Sequence, residues 1–225
     1  MAKKRNSKNE AIGLDVQLGK SEAFIEKHLK EILIALAAII VIALGIFGWK
    51  SYVNNQTEKA NAEIAKCQTA FAMEQYDNAL NGDGVSQKGF LKIIDEYGCT
   101  ETANLAKAYA GICYANLDKV DEAIDMLESF DPQDDEMISP SVVAALGNCY
   151  VKKGNVEKGI DKLLKAAKDA DNDAVSPVFV LQAAQLYESL GKNDKALELY
   201  KEIKTKYFRS PLSADIDKYI ERATK

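Results

Sequence analysis

Residues 111–127 read GICYANLDKVDEAIDML, residues 147–163 read GNCYVKKGNVEKGIDKL, and residues 184–200 read AQLYESLGKNDKALELY. The three stretches begin 36 and 37 residues apart and place the same kinds of residue in the same order. Self-similarity at such a period is typical of proteins that stack one small helical unit several times. We therefore predict an all-α fold in which most of the chain is a stack of helical repeats.

Each stretch carries a small residue, a tyrosine three positions later, a turn residue, a second small residue and a large apolar residue. The members are Gly111, Tyr114, Asp118, Ala123 and Leu127, then Gly147, Tyr150, Gly154, Gly159 and Leu163, then Ala184, Tyr187, Gly191, Ala196 and Tyr200. Two helices that cross closely need small residues at the contact and large residues beside it to fill the groove. The pattern therefore predicts a helix, a tight turn and a second helix in each unit.

Glycine and proline mark the ends of the predicted helices. Gly154 and Gly191 lie where the first helix of a pair ends, a place that often requires a left-handed backbone. Serine caps a helix and proline is tolerated in its first turn, so Ser-Pro pairs predict helix starts. These pairs are Ser139–Pro140, Ser176–Pro177 and Ser210–Pro211.

The repeats extend along the chain in both directions. Upstream, residues 58–80 and 87–97 are predicted as helices joined by the Asn-Gly-Asp-Gly turn at 81–84, and we interpret them as a degenerate fourth pair. Downstream, residues 211–223 place Leu212, Ile216, Tyr219 and Ile220 on one face, as expected of a helix that covers the last repeat. The predicted repeats are about 58–97, 103–130, 140–170 and 177–207, with the capping helix at 211–223.

Residues 32–49, ILIALAAIIVIALGIFGW, form an uninterrupted apolar run without a charge or an amide. As a helix this run would span roughly 27 Å, close to the thickness of a bilayer's hydrocarbon core. Buried helices of soluble proteins rarely run this long without a polar face, and the run lacks the A-x-A ending of a cleavable signal peptide. We therefore predict a retained transmembrane helix with its flanks at 20–53, a mobile tail at 1–19 and a folded domain at 54–225.

Charge is distributed unevenly along the chain. Seven of its 29 basic residues and five of its 34 acidic residues precede residue 32, which leaves 22 basic and 29 acidic residues after it. This acidic balance gives the folded domain no electrostatic reason to bind nucleic acid.

Basic residues, including Lys27 and Lys30, predominate on the N-terminal side of the apolar run. They predict a cytoplasmic N-terminus and a folded domain across the membrane.

Few residues in the chain could carry chemistry. Cys113 and Cys149 lie beside the repeat tyrosines and are predicted to be small packing residues, whereas Cys67 and Cys99 either form a disulfide or remain free. His28 is the one histidine and cannot hold a metal alone. The sequence contains no recognisable nucleophile, base and acid motif and no phosphate-binding loop. We predict no enzyme activity, cofactor, metal or small-molecule substrate.

The repeated small, tyrosine and glycine positions resemble those of the tetratricopeptide repeat family. The resemblance is closer in the second and third copies than in the first, where Asp118 replaces the turn glycine. The tryptophan common early in the family's repeat is replaced by Lys107, Val143 and Val180, and the period is two or three residues longer than usual. The resemblance implies a tetratricopeptide-type α-solenoid whose first helices line a concave, protein-binding groove.

By the geometry of that family, the groove residues come from three first helices. They are Leu105, Ala108, Ile112, Ala115 and Asn116, then Ser141, Ala144, Asn148, Val151 and Lys152, then Val178, Leu181, Gln185, Glu188 and Ser189. Small apolar side chains and amides dominate this set, which suits an apolar or amphipathic segment better than a charged tail. The alternative for any one position is that it packs against the next helix.

The whole layout over residues 20–223 resembles bacterial inner-membrane proteins of the YfgM type. Residues 109–127 and 189–212 are similar to the versions found in Bacteroidetes. The resemblance implies a periplasmic folded domain with an ancillary role at the SecYEG translocon, a periplasmic chaperone such as PpiD as a neighbour, and exported chains as clients. Two alternatives remain open, a scaffold for outer-membrane or cell-wall assembly and a redox factor that uses the cysteines.

Overall fold

The computed structural model describes the backbone of residues 3–224 and the side chains of residues 27–224. Over that range the chain forms ten α-helices and no strand, which confirms the all-α prediction. The chain divides into two compact units, Met1–Asn54 and Asn55–Lys225. The mobile tail predicted at 1–19 has its side chains outside the described residues, and it stays a prediction.

The first helix, α1, extends over Lys3–Ala72 and contains the apolar run. Its length and composition make it a candidate membrane span, and no other helix in the described part of the chain qualifies. None of its most apolar window is buried. Val41 and Phe47, for example, expose 68% and 74% of their surface. A core helix of a soluble protein would be mostly covered, so this exposure favours the membrane interpretation.

The second unit contains the remaining helices and the last turns of α1. The helices are α2 (Tyr76–Asn81), α3 (Phe90–Glu96), α4 (Glu101–Asn116), α5 (Val120–Glu128), α6 (Ile138–Lys152), α7 (Val156–Ala170), α8 (Ser176–Ser189), α9 (Asn193–Lys206) and α10 (Ile216–Thr224), with a 3-10 turn at Pro211–Ala214. Each helix from α3 to α10 packs against its neighbour in the chain, so successive helix pairs stack in order.

The helices of a pair cross closely at the small residues of the repeat, as predicted. A β-carbon placed on Gly111 would lie 2.5 Å from Cγ of Leu127, the large residue predicted beside it. A β-carbon on Gly159 would lie 2.3 Å from Cγ2 of Val151 and 2.8 Å from the carbonyl oxygen of Gly147. Any side chain at these glycines would therefore force the two helices of a pair apart.

Four tight turns share one backbone geometry. Gly154 and Gly191 have φ values of 91° and 69°, which confirms the predicted left-handed turns, and Asp118 has a φ of 59°. A fourth left-handed residue is Glu74, with a φ of 58°. In each turn the N–H of the next residue donates to a carbonyl five positions earlier, at 2.8 to 3.0 Å. This is the Schellman arrangement that ends helices.

The left-handed turn at Glu74 ends the first helix of the upstream pair earlier than predicted. The helix predicted over 58–80 ends at Ala72, and α2 begins at Tyr76 after the left-handed turn. The predicted turn at 81–84 instead begins a loop over residues 82–89, which separates α2 from α3 within the second half of the pair. The prediction was wrong here because Asn-Gly-Asp-Gly is the stronger breaker signal, whereas a glutamate gives no sign of a left-handed backbone.

The Ser-Pro pairs predicted their helix starts to within one residue, but the predicted capping role of the serine is confirmed only at Ser210. There the hydroxyl accepts a hydrogen bond from the Leu212 N–H at 3.4 Å, as a cap does. Ser139 and Ser176 instead lie within the first two residues of α6 and α8. Asp135 accepts N–H bonds at the start of α6, and Asn172 accepts those of Ala174 and Val175 in the turn just before α8. An aspartate or asparagine side chain that precedes a helix reaches several of its unpaired N–H groups.

The capping helix packs as its apolar face predicted. Ile216 is 1% exposed, and the half-buried Leu212, Tyr219 and Ile220 pack against the same C-terminal core. The ring of Tyr219 lies 5.4 Å from that of the fully buried Tyr200 on α9. The apolar side of the last helix pair is therefore covered.

Candidate protein-binding groove

The predicted groove residues lie on α4, α6 and α8, and their exposure differs. Ala108 and Ala144 are buried, so they can contribute only to the floor of a site. The half-buried members are Leu105, Ile112, Ala115, Val151, Leu181 and Glu188. The exposed members are Asn116, Ser141, Asn148, Lys152, Val178, Gln185 and Ser189.

A cavity of about 320 Å³ lies between α4 and the start of α6, and we call it the apolar pocket. Its walls include four predicted residues, Leu105, Ala108, Ile112 and Ser141. The other four are Tyr109, Met137, Ile138 and Val142. None of these eight side chains is charged, so the pocket offers mainly apolar contact to a ligand.

A second cavity of about 550 Å³, the amide pocket, adjoins the first, and both are lined by Leu105 and Ile138. It lies among the last turns of α1, the first turn of α4 and the loop before α6. Four side-chain amides contribute to its walls, those of Asn61, Gln68, Asn104 and Gln133. The two pockets together form one groove, which is apolar at one end and at the other combines these amides with apolar side chains such as Ile64 and Phe130.

The loop before α6 is held in place by hydrogen bonds to α4 and by hydrogen bonds within the loop. Asn104 pairs with Asp131 in both directions, at 2.7 and 2.8 Å. Asp135 accepts the N–H bonds of Met137, Ile138 and Ser139 and the hydroxyl of Ser139. Burial raises the pKa of Asp135, but the bonds from Ser139 and these N–H groups outweigh it, so the pKa lies below its ordinary value. The charged carboxylate fixes the position of Met137 and Ile138.

The C-terminal members of the predicted set line neither pocket. The Glu188 carboxylate accepts two bonds from Arg222, at 2.6 and 2.7 Å, and one from the Tyr200 hydroxyl at 2.8 Å. The Arg222 guanidinium holds the pKa of Glu188 below its usual range. Glu188 therefore ties α8 to the capping helix α10.

Asn148 and Lys152 link neighbouring pairs. Asn148 Nδ2 donates to Oε1 of Gln182 at 3.4 Å. Lys152 Nζ donates to the Ala115 carbonyl at 2.9 Å and lies 2.5 Å from Oδ1 of Asp118. These residues join the first helices of successive repeats.

Sequence reasoning missed the residues that give the groove its apolar end. Met137 and Ile138 each expose 49% of their surface and directly follow the polar residues 133–136. The signal was present in the sequence, since two large apolar residues directly after four consecutive polar ones are unusual in a solvated loop. Asn61 and Gln68 were missed because the upstream pair was regarded as degenerate.

The four cysteines are free thiols in the structure. Cys113 and Cys149 are buried, which confirms their predicted packing role, and burial raises the pKa of Cys113 to about 12. Cys67, which is buried, and Cys99, which is exposed, are also free, so the structure shows no disulfide between them. Within residues 27–224 no three His, Cys, Asp or Glu side chains are grouped to hold a metal ion.

Residues 180–207 match the sequence model of the tetratricopeptide repeat family. The matched segment covers most of α8, the left-handed turn at Gly191 and all of α9. No curated protein matches the chain. The last helix pair thus has the sequence of a tetratricopeptide repeat, and the pairs before it share the geometry of its turn. Such repeats are interaction modules that bind other proteins.

Proposed function

We propose that this chain is a membrane-anchored scaffold that binds protein segments in the groove formed by the apolar and amide pockets. The observation that carries the proposal is the half-exposed pair Met137 and Ile138, which faces an uncharged pocket that no other part of the described chain fills. Exposed apolar residues that border a pocket mark interaction sites on soluble surfaces. The tetratricopeptide match supports a protein as the ligand.

We further propose that the scaffold acts on exported proteins as an ancillary subunit of the bacterial SecYEG translocon, beside a periplasmic chaperone such as PpiD. The resemblance in layout to proteins of the YfgM type supports this role. The candidate span in α1 and the basic residues before it support an inner-membrane anchor with a periplasmic domain.

Photocrosslinking in cells tests the binding role and the partner together. A photoreactive amino acid at Ile138, Asn148, Val178 or Gln185 should crosslink to protein partners, with the highest yield at Ile138. The matched control is Lys168, an exposed residue on α7, the second helix of its pair. Translocon subunits, chaperones and exported chains among the products would support the proposal. Products from outer-membrane or cell-wall machines would favour the alternative scaffold, and equal yields at Ile138 and Lys168 would refute groove binding.

The exposed thiol of Cys99 tests the orientation. A membrane-impermeant maleimide should label the chain in intact spheroplasts, because Cys99 is exposed while Cys67, Cys113 and Cys149 are buried. Cys99→Ser should abolish the labelling. Labelling that requires lysis of the spheroplasts would place the domain in the cytoplasm.

A further inference from the structure

The apolar pocket fits side chains rather than a whole folded element. Its volume of about 320 Å³ is at the low end of the roughly 300–1,000 Å³ typical of ligand sites. An α-helix with its side chains is about 10–12 Å in diameter and would not fit inside. Met137 contributes a flexible thioether side chain that adapts to different apolar partners. The pocket therefore suits one or two apolar side chains of varying shape.

The amide pocket leaves both donors and acceptors available. Asn61 uses its Oδ1 to accept the Thr102 hydroxyl at 2.6 Å, and its Nδ2 has no acceptor among the described residues. Gln68 and Gln133 donate through Nε2, to the Tyr109 hydroxyl and the Asp131 carbonyl, and their Oε1 atoms have no donor in the described part of the chain. An extended peptide presents unpaired N–H and C=O groups, whereas a helix satisfies its own. The pocket is therefore complementary to an extended backbone.

The border of the groove is acidic. Glu101 and Asp135 line the amide pocket, and Asp134 and Glu136 are exposed on either side of Asp135. Within residues 27–224, Glu101, Asp134 and Glu136 have no lysine, arginine or histidine partner. Lys107 is the nearby base, and its Nζ donates to the Ser129 carbonyl at 3.0 Å. Carboxylates without partners attract basic side chains and repel acidic ones.

From these three observations we infer that the groove selects extended segments of unfolded protein in which a large apolar side chain stands next to lysine or arginine. The apolar side chain enters the apolar pocket, the backbone pairs with the side-chain amides, and the basic side chain lies over Glu101 and Glu136. This inference rests on the proposed protein-binding role and adds the chemistry of the ligand to it.

Fluorescence anisotropy with the full chain in detergent micelles tests the selection. The probes are labelled peptides of roughly twelve residues, a length suited to an extended ligand, that carry one leucine flanked by lysines in a Gly-Ser background. We expect this peptide to bind about tenfold more tightly than one with glutamates in place of the lysines, and the gap to narrow at high salt. Replacement of the leucine by asparagine should also weaken binding about tenfold.

Variants of the chain locate the binding. Ile138→Asn and Met137→Gln should each weaken binding of the lysine-leucine peptide, while Phe208→Asn, at a 64% exposed apolar residue outside both pockets, should leave it within about twofold. Glu101→Lys combined with Glu136→Lys should reverse the preference between the basic and acidic peptides. A circular dichroism spectrum equal to that of the parent chain excludes misfolding of a variant.

The outcomes separate the inference from the proposed function. Equal affinity for the basic and acidic peptides, or an unchanged preference in the doubly lysine-substituted variant, would overturn the inference. If no peptide binds although Ile138 crosslinks to proteins in cells, the scaffold role stands and the inferred ligand is wrong. If peptides fail to bind and Ile138 gives no crosslinks above the Lys168 control, the scaffold role fails as well.

Discussion

The C-terminal end of the helix-pair stack and its middle differ in what covers their first helices. At the C-terminal end, α10 covers the last pair, and Glu188 is held by Arg222 and Tyr200. In the middle of the stack, where α6 begins, Met137 and Ile138 remain half-exposed beside two cavities. The first helix of a pair thus helps to stabilise the domain at α8, whereas α4 and the start of α6 offer a surface. The neighbour, rather than the repeat position, decides which role a residue has.

Ile216→Ala should have the largest effect on stability, because it opens the covered end. Ile216 is 1% exposed, and removal of a buried isoleucine side chain typically costs about 3 kcal/mol of unfolding free energy. Urea unfolding of the full chain in micelles, followed by circular dichroism, measures the change. The exposed Lys218→Ala on the same helix serves as the control. A loss at Ile216 no greater than that at Lys218 would show that α10 does not stabilise the stack.

Exchanging turn residues compares the first and last pairs. Gly191→Glu should cost about 1 kcal/mol of unfolding free energy, because a side chain is strained at a φ of 69°. Glu74→Gly should stabilise the chain by about 0.5 kcal/mol, since glycine relieves the same strain but adds entropy to the unfolded chain. Urea unfolding measures both. Changes of the same sign would mean that the two turns are not equivalent.

Glu188 gives the covered end a pH dependence. Its pKa is lowered in the folded state by Arg222, so its contribution to stability is present above the unfolded value of about 4.3 and is lost as the pH falls through the lowered pKa. Glu188→Gln should therefore lower the melting temperature at pH 7 and have a smaller effect at low pH. Glu198→Gln, at an exposed glutamate on α9, is the matched control. If the difference in melting temperature between the parent chain and the Glu188→Gln variant grew as the pH fell, the stabilising role of the charged Glu188 would be contradicted.

Ile138→Asn should have the smallest effect on stability, although we expect it to weaken binding. Ile138 is already 49% exposed, and substitutions at exposed positions usually change the unfolding free energy by less than about 0.5 kcal/mol. Urea unfolding beside the Ile216→Ala variant makes the contrast direct. A loss comparable with that at Ile216 would mean that the half-exposed start of α6 is structural too.

Sequence was sufficient wherever one residue type dictates local geometry. Gly154 and Gly191 predicted their turns, and Gly111 with Leu127 predicted a helix crossing. It was insufficient where several residue types are compatible with one geometry, as at the left-handed Glu74.

The candidate site also has one part that could be predicted from the sequence and one part that could not. Leu105, Ala108, Ile112 and Ser141 follow from repeat position, and they do line the apolar pocket. The amide pocket depends on contacts between distant parts of the chain, such as the hydrogen bond from Thr102 to Asn61 across 41 residues. No periodicity in the sequence reports such a contact.

The capping helix also determines how the domain could be lengthened. Because α10 covers α9 through Ile216 and Tyr219, a new repeat appended after Lys225 would meet a polar surface and find no apolar partner. A duplicate of residues 140–175 inserted ahead of Ser176 would instead meet the faces that α7 and α8 already present to each other. Modular extension of this protein is therefore possible from within the stack, with the C-terminal helix kept in place as its terminator.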